Sequence, residues 1–323
     1  MSEQAGVDVA ALPADDIVLP FQVETVRGRL VRLGPAVDAI IKRHAYPTVV
    51  GQALGELVAL GAALAHTLKY DGVFTIQVKG DGPVRLMVAD VTTSGGLRGY
   101  AQFDAARVEA LGREMPSVPK LFGAGYLAFT VDQGDATERY QGIVELTGAT
   151  LADCAHHYFR QSEQFRAGLK VAIHLGADGA WRAGAVMVQA LPPDGAQGSA
   201  EGRDRLTTFD SAVEDADEMW RRMLILMSSA RSDELVDPAL PAWRLVDRLF
   251  LAEGVRIFRP HGLRNACRCS RARVTSVLTA IPPSELADMK IDGVVRVTCE
   301  FCNTSYDFDD DQILALHGDA PST

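Results

Sequence analysis

Basic residues are in short supply. Thirty-two lysines and arginines against 42 aspartates and glutamates leave the 323-residue chain at −10. A phosphate backbone needs a basic face, so nucleic acid is not expected as the main partner. Long apolar runs are also missing. The longest, "LVALGAALA", ends at His66, far short of a membrane span. The N-terminal "MSEQAGVDVAALPADD" lacks the basic-then-apolar order of a signal peptide, so a cytoplasmic protein without a membrane partner is expected. There is no GxxxxGK[ST] phosphate loop and no GxSxG elbow, and the glycines of "KGDGPVRL" and "TTSGGLRG" fall at hairpin spacing. A nucleotide-dependent enzyme or a serine hydrolase is therefore not expected. No internal repeat is evident, and cysteine is rare, with five in the whole chain.

What is present reads as a globular chain large enough for two domains, 47% hydrophobic with a mean hydropathy of +0.04. Residues 17–33 alternate like a strand, with a bend expected at Gly28. Residues 47–70 form a long apolar helix whose glycines and alanines suit close packing on a sheet. "GVFTIQVKG", "PVRLMVADVT" and "LRGYAQF" follow as strands, then the hairpin "GYLAFTVDQ"/"RYQGIVEL" and the helix "TLADCAHHYFRQSEQF". "GLKVAIHLG" and "AGAVMVQAL" are further strands. This order predicts the α+β class, mostly antiparallel sheet with packed helices. The expected domains are an N-terminal α+β domain over 1–230, a helical linker over 231–260 and a small zinc-binding domain over 261–323. A loop is expected at 192–204. In the linker, Asp237 is the expected N-cap of a helix beginning at Pro238, with Gly254 closing it. Leu235, Leu240, Trp243, Val246, Leu249 and Phe250 would line one side of it, either as an ordinary packed helix or as a latch over adhesive surface.

Four of the five cysteines lie in the last fifth of the chain, as Cys267-x-Cys269 and Cys299-x-x-Cys302 with 29 residues between the pairs. Two close pairs from separate segments are how a tetrahedral zinc site collects four soft ligands. A rubredoxin-type iron site would use two Cys-x-x-Cys pairs, and this chain has one. The segment from about 262 is near the size at which a core alone holds a fold. Structural zinc supplies about 10–16 kcal/mol of apparent binding energy, so losing the metal should melt it. Local disulfides would close loops of three or four residues, worth roughly 1.5–2 kcal/mol each; cross-pairing would close loops of about thirty, worth about 3.7 kcal/mol each, and would keep the halves together. Spacing leaves both pairings open. Arg264, Arg268, Arg271 and Arg273 crowd the first pair, where positive charge would favour thiolates. An alternative use of the arginine-rich stretch 256–273 is a zinc ribbon that binds nucleic acid. Cys154, outside the cluster, fits a buried apolar helix position.

"CRCSRARV" and "CEFCNTSYDF", with "VETVRGRLVRLG", "GQALGELVALGAALAHTLKYDG", "ERYQGIVEL" and "YFRQSEQ" in the same order, resemble the heat-shock protein 33 family of redox-regulated holdase chaperones. The resemblance covers nearly the full length. It implies a zinc-bound inactive form held by Cys267, Cys269, Cys299 and Cys302. It further implies that oxidation to Cys267–Cys269 and Cys299–Cys302 releases zinc and unfolds the C-terminal domain and linker. A homodimer would then hold unfolding client proteins without ATP, with Leu240, Trp243, Val246, Leu249 and Phe250 as candidate client contacts. It implies a binding protein, not an enzyme.

Overall fold

The computed structural model describes residues 12–67, 70–112, 114–134, 140–161, 166–190 and 206–318. The loop expected at 192–204, the end of the helix expected to reach Phe165 and most of the acidic N-terminal stretch lie outside these residues. The chain divides into two units, Met1–Asn265 and Ala266–Thr323.

The first unit runs β1 (Ile17–Val23), β2 (Val26–Leu33), α1 (Pro35–Lys42), α2 (Thr48–Ala65), β3 (Val73–Gly80), β4 (Val84–Thr92) and β5 (Gly96–Phe103). Then come α3 (Ala105–Glu109), α4 (Val118–Phe122), β6 (Gly125–Asp132), β7 (Tyr140–Glu145), α5 (Leu151–Gln161), β8 (Ala167–Leu175) and β9 (Trp181–Ala190). It closes with α6 (Leu206–Ser228), α7 (Ser232–Val236), α8 (Ala242–Phe250) and the short strands β10 (Arg256–Ile257), β11 (His261–Gly262) and β12 (Arg264–Asn265). One sheet is ordered β10-β1-β2-β9-β8, with β11 also on β1; the other is ordered β12-β5-β4-β3-β6-β7. All these pairings are antiparallel except β12 on β5. The expected α+β class, mostly antiparallel, is the class observed.

Helix α2 lies between the sheets, touching β2, β8 and β9 of one and β3, β4 and β5 of the other. Its length and apolarity would suit a membrane span, yet 83% of it is buried inside the protein. Small residues permit the fit. A Cβ at Gly55 would stand 2.3 Å from Ile173 Cδ1, so a larger residue there would have to push that side chain aside.

The first sheet works on both faces because its strands alternate. Val18, Val31, Leu33, Ala185 and Met187 turn toward α2. Ile17, Leu19, Phe21, Leu30, Val186 and Val188 turn the other way, into a second core closed by α6, α7 and α8. Each fully buried Val or Leu is worth about 1.5–3 kcal/mol relative to exposure. Gly28 departs from expectation. The bend falls at Glu24, with φ of +44°, while Gly28 stays inside β2 opposite Phe21. Its Cβ would stand 2.0 Å from the Phe21 ring, which lies over it and stacks on Phe250 at 5.0 Å.

The linker helix also starts later than expected. Asp237 follows α7, its carboxylate accepting from Ala239 N in a local turn, and α8 begins at Ala242 after Pro241. The Asp–Pro pair makes a single turn that no helix continues: Leu240 N donates to Asp237 O at 3.3 Å, and Pro241 then precedes α8. Gly254 does end the helical run, at φ +70°.

The second unit contains α9 (Arg271–Thr279), α10 (Pro283–Asp288), the antiparallel pair β13 (Val295–Thr298) and β14 (Ser305–Phe308), and α11 (Asp310–Gly318). Its buried hydrophobic cluster is Leu278, Leu286, Val295, Phe308 and Ile313.

Candidate metal centre

Two local structures present the four thiols. The β13–β14 hairpin pairs Thr298 with Ser305, and the residues between them form a knuckle. Cys299 N donates to Thr304 O at 2.9 Å, and Asn303 N to Cys299 O at 2.8 Å, with Asn303 in the left-handed region at φ +56°. Both Cys299 and Cys302 therefore leave the tip of one tight turn. The other pair precedes α9, whose first turn is capped by Ser270 Oγ accepting from Arg273 N at 3.2 Å. That cap fixes the chain direction immediately after Cys269.

All four Sγ atoms lie within 4.8 Å of one another. Cys267 and Cys299 are 3.7 Å apart, and Cys269 and Cys302 are 3.2 Å apart. Ideal tetrahedral coordination with Zn–S bonds of about 2.3 Å separates sulfurs by about 3.8 Å. Four soft donors at this spacing fit a tetrahedral ion. Cys302 is buried and the other three are half-buried.

Hydroxyl groups complete the surroundings. Tyr306 Oη donates to Cys269 Sγ at 3.3 Å, and Thr304 Oγ1 lies 3.2 Å from Cys302 Sγ. Burial pushes Cys269 up to about 12 and also raises Cys299. At Cys302 burial pushes upward too, but hydrogen bonds with Thr304, Cys269 and Cys267 outweigh it and bring the thiol to about 6. One sulfur is thus an easy thiolate, and ion binding must strip protons from its neighbours. Tyr306 and Thr304 escaped sequence reasoning; hydroxyl residues two and four places after Cys302 in "CNTSY" were the available signal.

Three of the four arginines that crowd the first pair in the sequence are engaged away from the thiols. Arg264 belongs to the first unit and donates to Ser94 O at 2.5 Å. Arg271 donates to Asp307 O and Gln312 Oε1 and lies 4.2 Å over the Phe308 ring. Arg273 donates to Arg268 O at 2.9 Å. Guanidinium groups of Arg264, Arg271 and Arg273 committed to carbonyls and a ring brace the fold, and the lowering at Cys302 comes from hydrogen bonds.

In the first unit, Val246, Leu249 and Phe250 are buried in the second core, and Leu240 and Trp243 pack half-buried against it. Helices α6 and α7 are also held by cations from the sheet. Buried Arg32 donates to Glu234 O at 2.7 Å and to Asp237 O at the end of α7. Lys170 donates to Ser228 O at 3.2 Å and to Ala230 O at the end of α6. Cations there satisfy terminal carbonyls and complement the helix dipoles. Cys154 is buried, as its sequence position suggested, and its Sγ accepts from Gly148 N at 3.4 Å.

The chain is similar to known proteins over most of its length. The model of the Hsp33 protein family matches residues 16–309. The chain is 39% identical over 303 residues to a 33 kDa chaperonin of Caulobacter vibrioides, covering 91% of this chain and 95% of that one. It is 35% identical over 297 residues to a 33 kDa chaperonin of Photorhabdus laumondii, covering 92% and 93%. The crystal structure of the 33 kDa chaperonin from Thermotoga maritima superposes with a TM-score of 0.71 at 22% identity, covering 93% of this chain and 97% of that one, a likeness of fold.

Proposed function

The chain belongs to the Hsp33 family and has a chaperone role; from that membership and the four-sulfur cluster we propose that it is a redox-regulated, ATP-independent holdase. In its reduced form Cys267, Cys269, Cys299 and Cys302 hold Zn2+. A peroxide oxidises them to two disulfides, Cys267–Cys269 and Cys299–Cys302, each peroxide taking two electrons and leaving as water, and the ion departs. The observation that carries this reading is the single cluster of four sulfurs drawn from two segments.

Energetics support the direction. Two local bridges return roughly 3–4 kcal/mol against the about 10–16 kcal/mol that zinc supplies. Distance alone does not select the pairing, since every sulfur is within reach of every other. The family implies the local pairing, and only that pairing lets the two cysteine-bearing segments separate. The unit then unfolds, and the linker over 231–260 loosens from the first sheet. That bares Leu240, Trp243, Val246, Leu249 and Phe250 together with the sheet face they cover. Apolar surface of this kind binds unfolding client proteins and favours a homodimer. The protein acts in the cytoplasm as a binding module, not an enzyme, with neither nucleic acid nor membrane as partner.

Peroxide titration at mild heat tests the proposal. Zinc release, loss of helicity and suppression of aggregation of a model client should rise together, and peptide mapping should recover both local disulfides. Zinc retained at full oxidation, or unchanged regulation after all four cysteines become serine, would sink it.

A further inference from the structure

We propose that the face of the first sheet bearing Arg27, Arg29 and Arg256 is a binding site for a phosphate-class oxoanion. Strand alternation sends Val26 and Leu30 into the outer core, so Arg27 and Arg29 project from the opposite face. Register then assembles a row. Gln22 pairs with Arg27 on one side and with Arg256 on the other, and Pro20 pairs with Arg29. Directly opposed residues share a face, so three guanidinium groups and one carboxamide gather there from three strands. A cavity of about 270 Å³ opens among Gln22, Arg27, Arg29 and Phe258.

Arg29 is the informative member. It is 8% exposed, and its Nη1 has no hydrogen-bond partner among the described residues. Nor does any of the three arginines pair with a carboxylate among them, in a chain whose net charge is −10. Glu24, in the adjoining turn, is exposed and makes no ion pair among these residues either. Burial pushes Arg29 down to about 10 and Arg27 adds to the push, yet it stays cationic at neutral pH. His66, whose ring lies tilted 5.2 Å from that of His261, is lowered to about 4, by burial first and then, against the hydrogen bond to Ala62 O, by His261 and Arg29. A buried cation lacking a counter-charge is costly, and an oxoanion accepting from two guanidinium forks removes that cost. The cavity equals roughly nine water volumes, room for a phosphoryl group and part of its carrier.

Calorimetry on the reduced, zinc-loaded full chain with inorganic phosphate and diphosphate, at ionic strength balanced by sodium chloride, tests this. One saturable site per chain is expected, with chloride inert. Arg29→Gln should weaken it at least tenfold while leaving melting without ligand unchanged or raised, because the buried charge is gone. If that variant fails to fold, Arg27→Gln/Arg256→Gln at exposed positions should weaken binding comparably, and Arg85→Gln on the other sheet should not. No saturable binding of either anion, or binding unchanged in both the Arg29 and the Arg27/Arg256 variants, overturns the proposal.

Discussion

The two units keep their interiors dry by different means. In the first, α2 is buried between two sheets, and a second core lies beneath α6, α7 and α8. In the second, Leu278, Leu286, Val295, Phe308 and Ile313 make up the buried hydrophobic cluster, beside four thiols within 4.8 Å of one another. A large core distributes its stability over many side chains. In the zinc-bound form proposed above, the small core would lean on an ion and concentrate its stability in one place, where a single chemical event removes it. The contrast also runs inside the first unit, since the inner core is enclosed by sheet on both sides while the outer core has only helices above it.

The largest effect expected is from removing the metal. Chelation under mild oxidation should cost the second unit the about 10–16 kcal/mol that a structural ion supplies. Hydrogen exchange should report this as loss of protection over Val295–Phe308 with β3 and β4 still protected. Equal loss in both units would erase the contrast.

A cut into the outer core is next. Phe250→Ala removes the ring stacked on Phe21 at 5.0 Å, and truncating a buried phenylalanine costs about 3–5 kcal/mol. The reduced protein should then bind an apolar dye while retaining its zinc. Dye binding at the unmodified level would show that α8 is not the weak cover of that sheet.

A smaller and pH-dependent effect sharpens the picture of the inner core. Glu56 on α2 accepts from Ala152 N at 3.2 Å, and burial raises its carboxyl from 4.5 to about 7. The folded state therefore holds this proton more tightly than the unfolded chain. Its contribution is present below pH 4.5 and is lost as pH rises through about 7. Glu56→Gln keeps the acceptor and removes the charge, so it should stabilise the protein by on the order of 2 kcal/mol at pH 8 and little near pH 5. Urea unfolding at the two pH values checks the sign, and a loss of stability at pH 8 would contradict it.

Much of this was legible from the residues. The thiol spacing, the apolar run of α2 and the alternating strands are short-range signals, read within a few positions. What stayed hidden depended on distant partners. Helix α1 opens at Gly34 and Pro35, and its first N–H groups are met by Asp16, whose carboxylate accepts from Gly34 N and Ala36 N at 3.0 Å. No local cap announces that helix. Strands β10, β11 and β12 are two residues each, too short for any period, and exist through pairing with β1 and β5. Asp237 looked like a cap because Asp–Pro has two local uses, and the choice between them lay with Arg32, 205 residues away, which binds its carbonyl.

By itself the sequence determined which atoms can ligate an ion, which of the longer segments are helix or strand, and the family the chain resembles. Backbone geometry and side-chain chemistry act over a few residues, and that is the range a sequence displays. Only the tertiary structure decided that four sulfurs meet, that Tyr306 touches one of them, that the outer sheet face lies under α8, and that Arg29 is buried with no counter-charge among the described residues. Each of those depends on what long-range pairing brings alongside, and burial and hydrogen bonding are properties of neighbours that the chain order does not list.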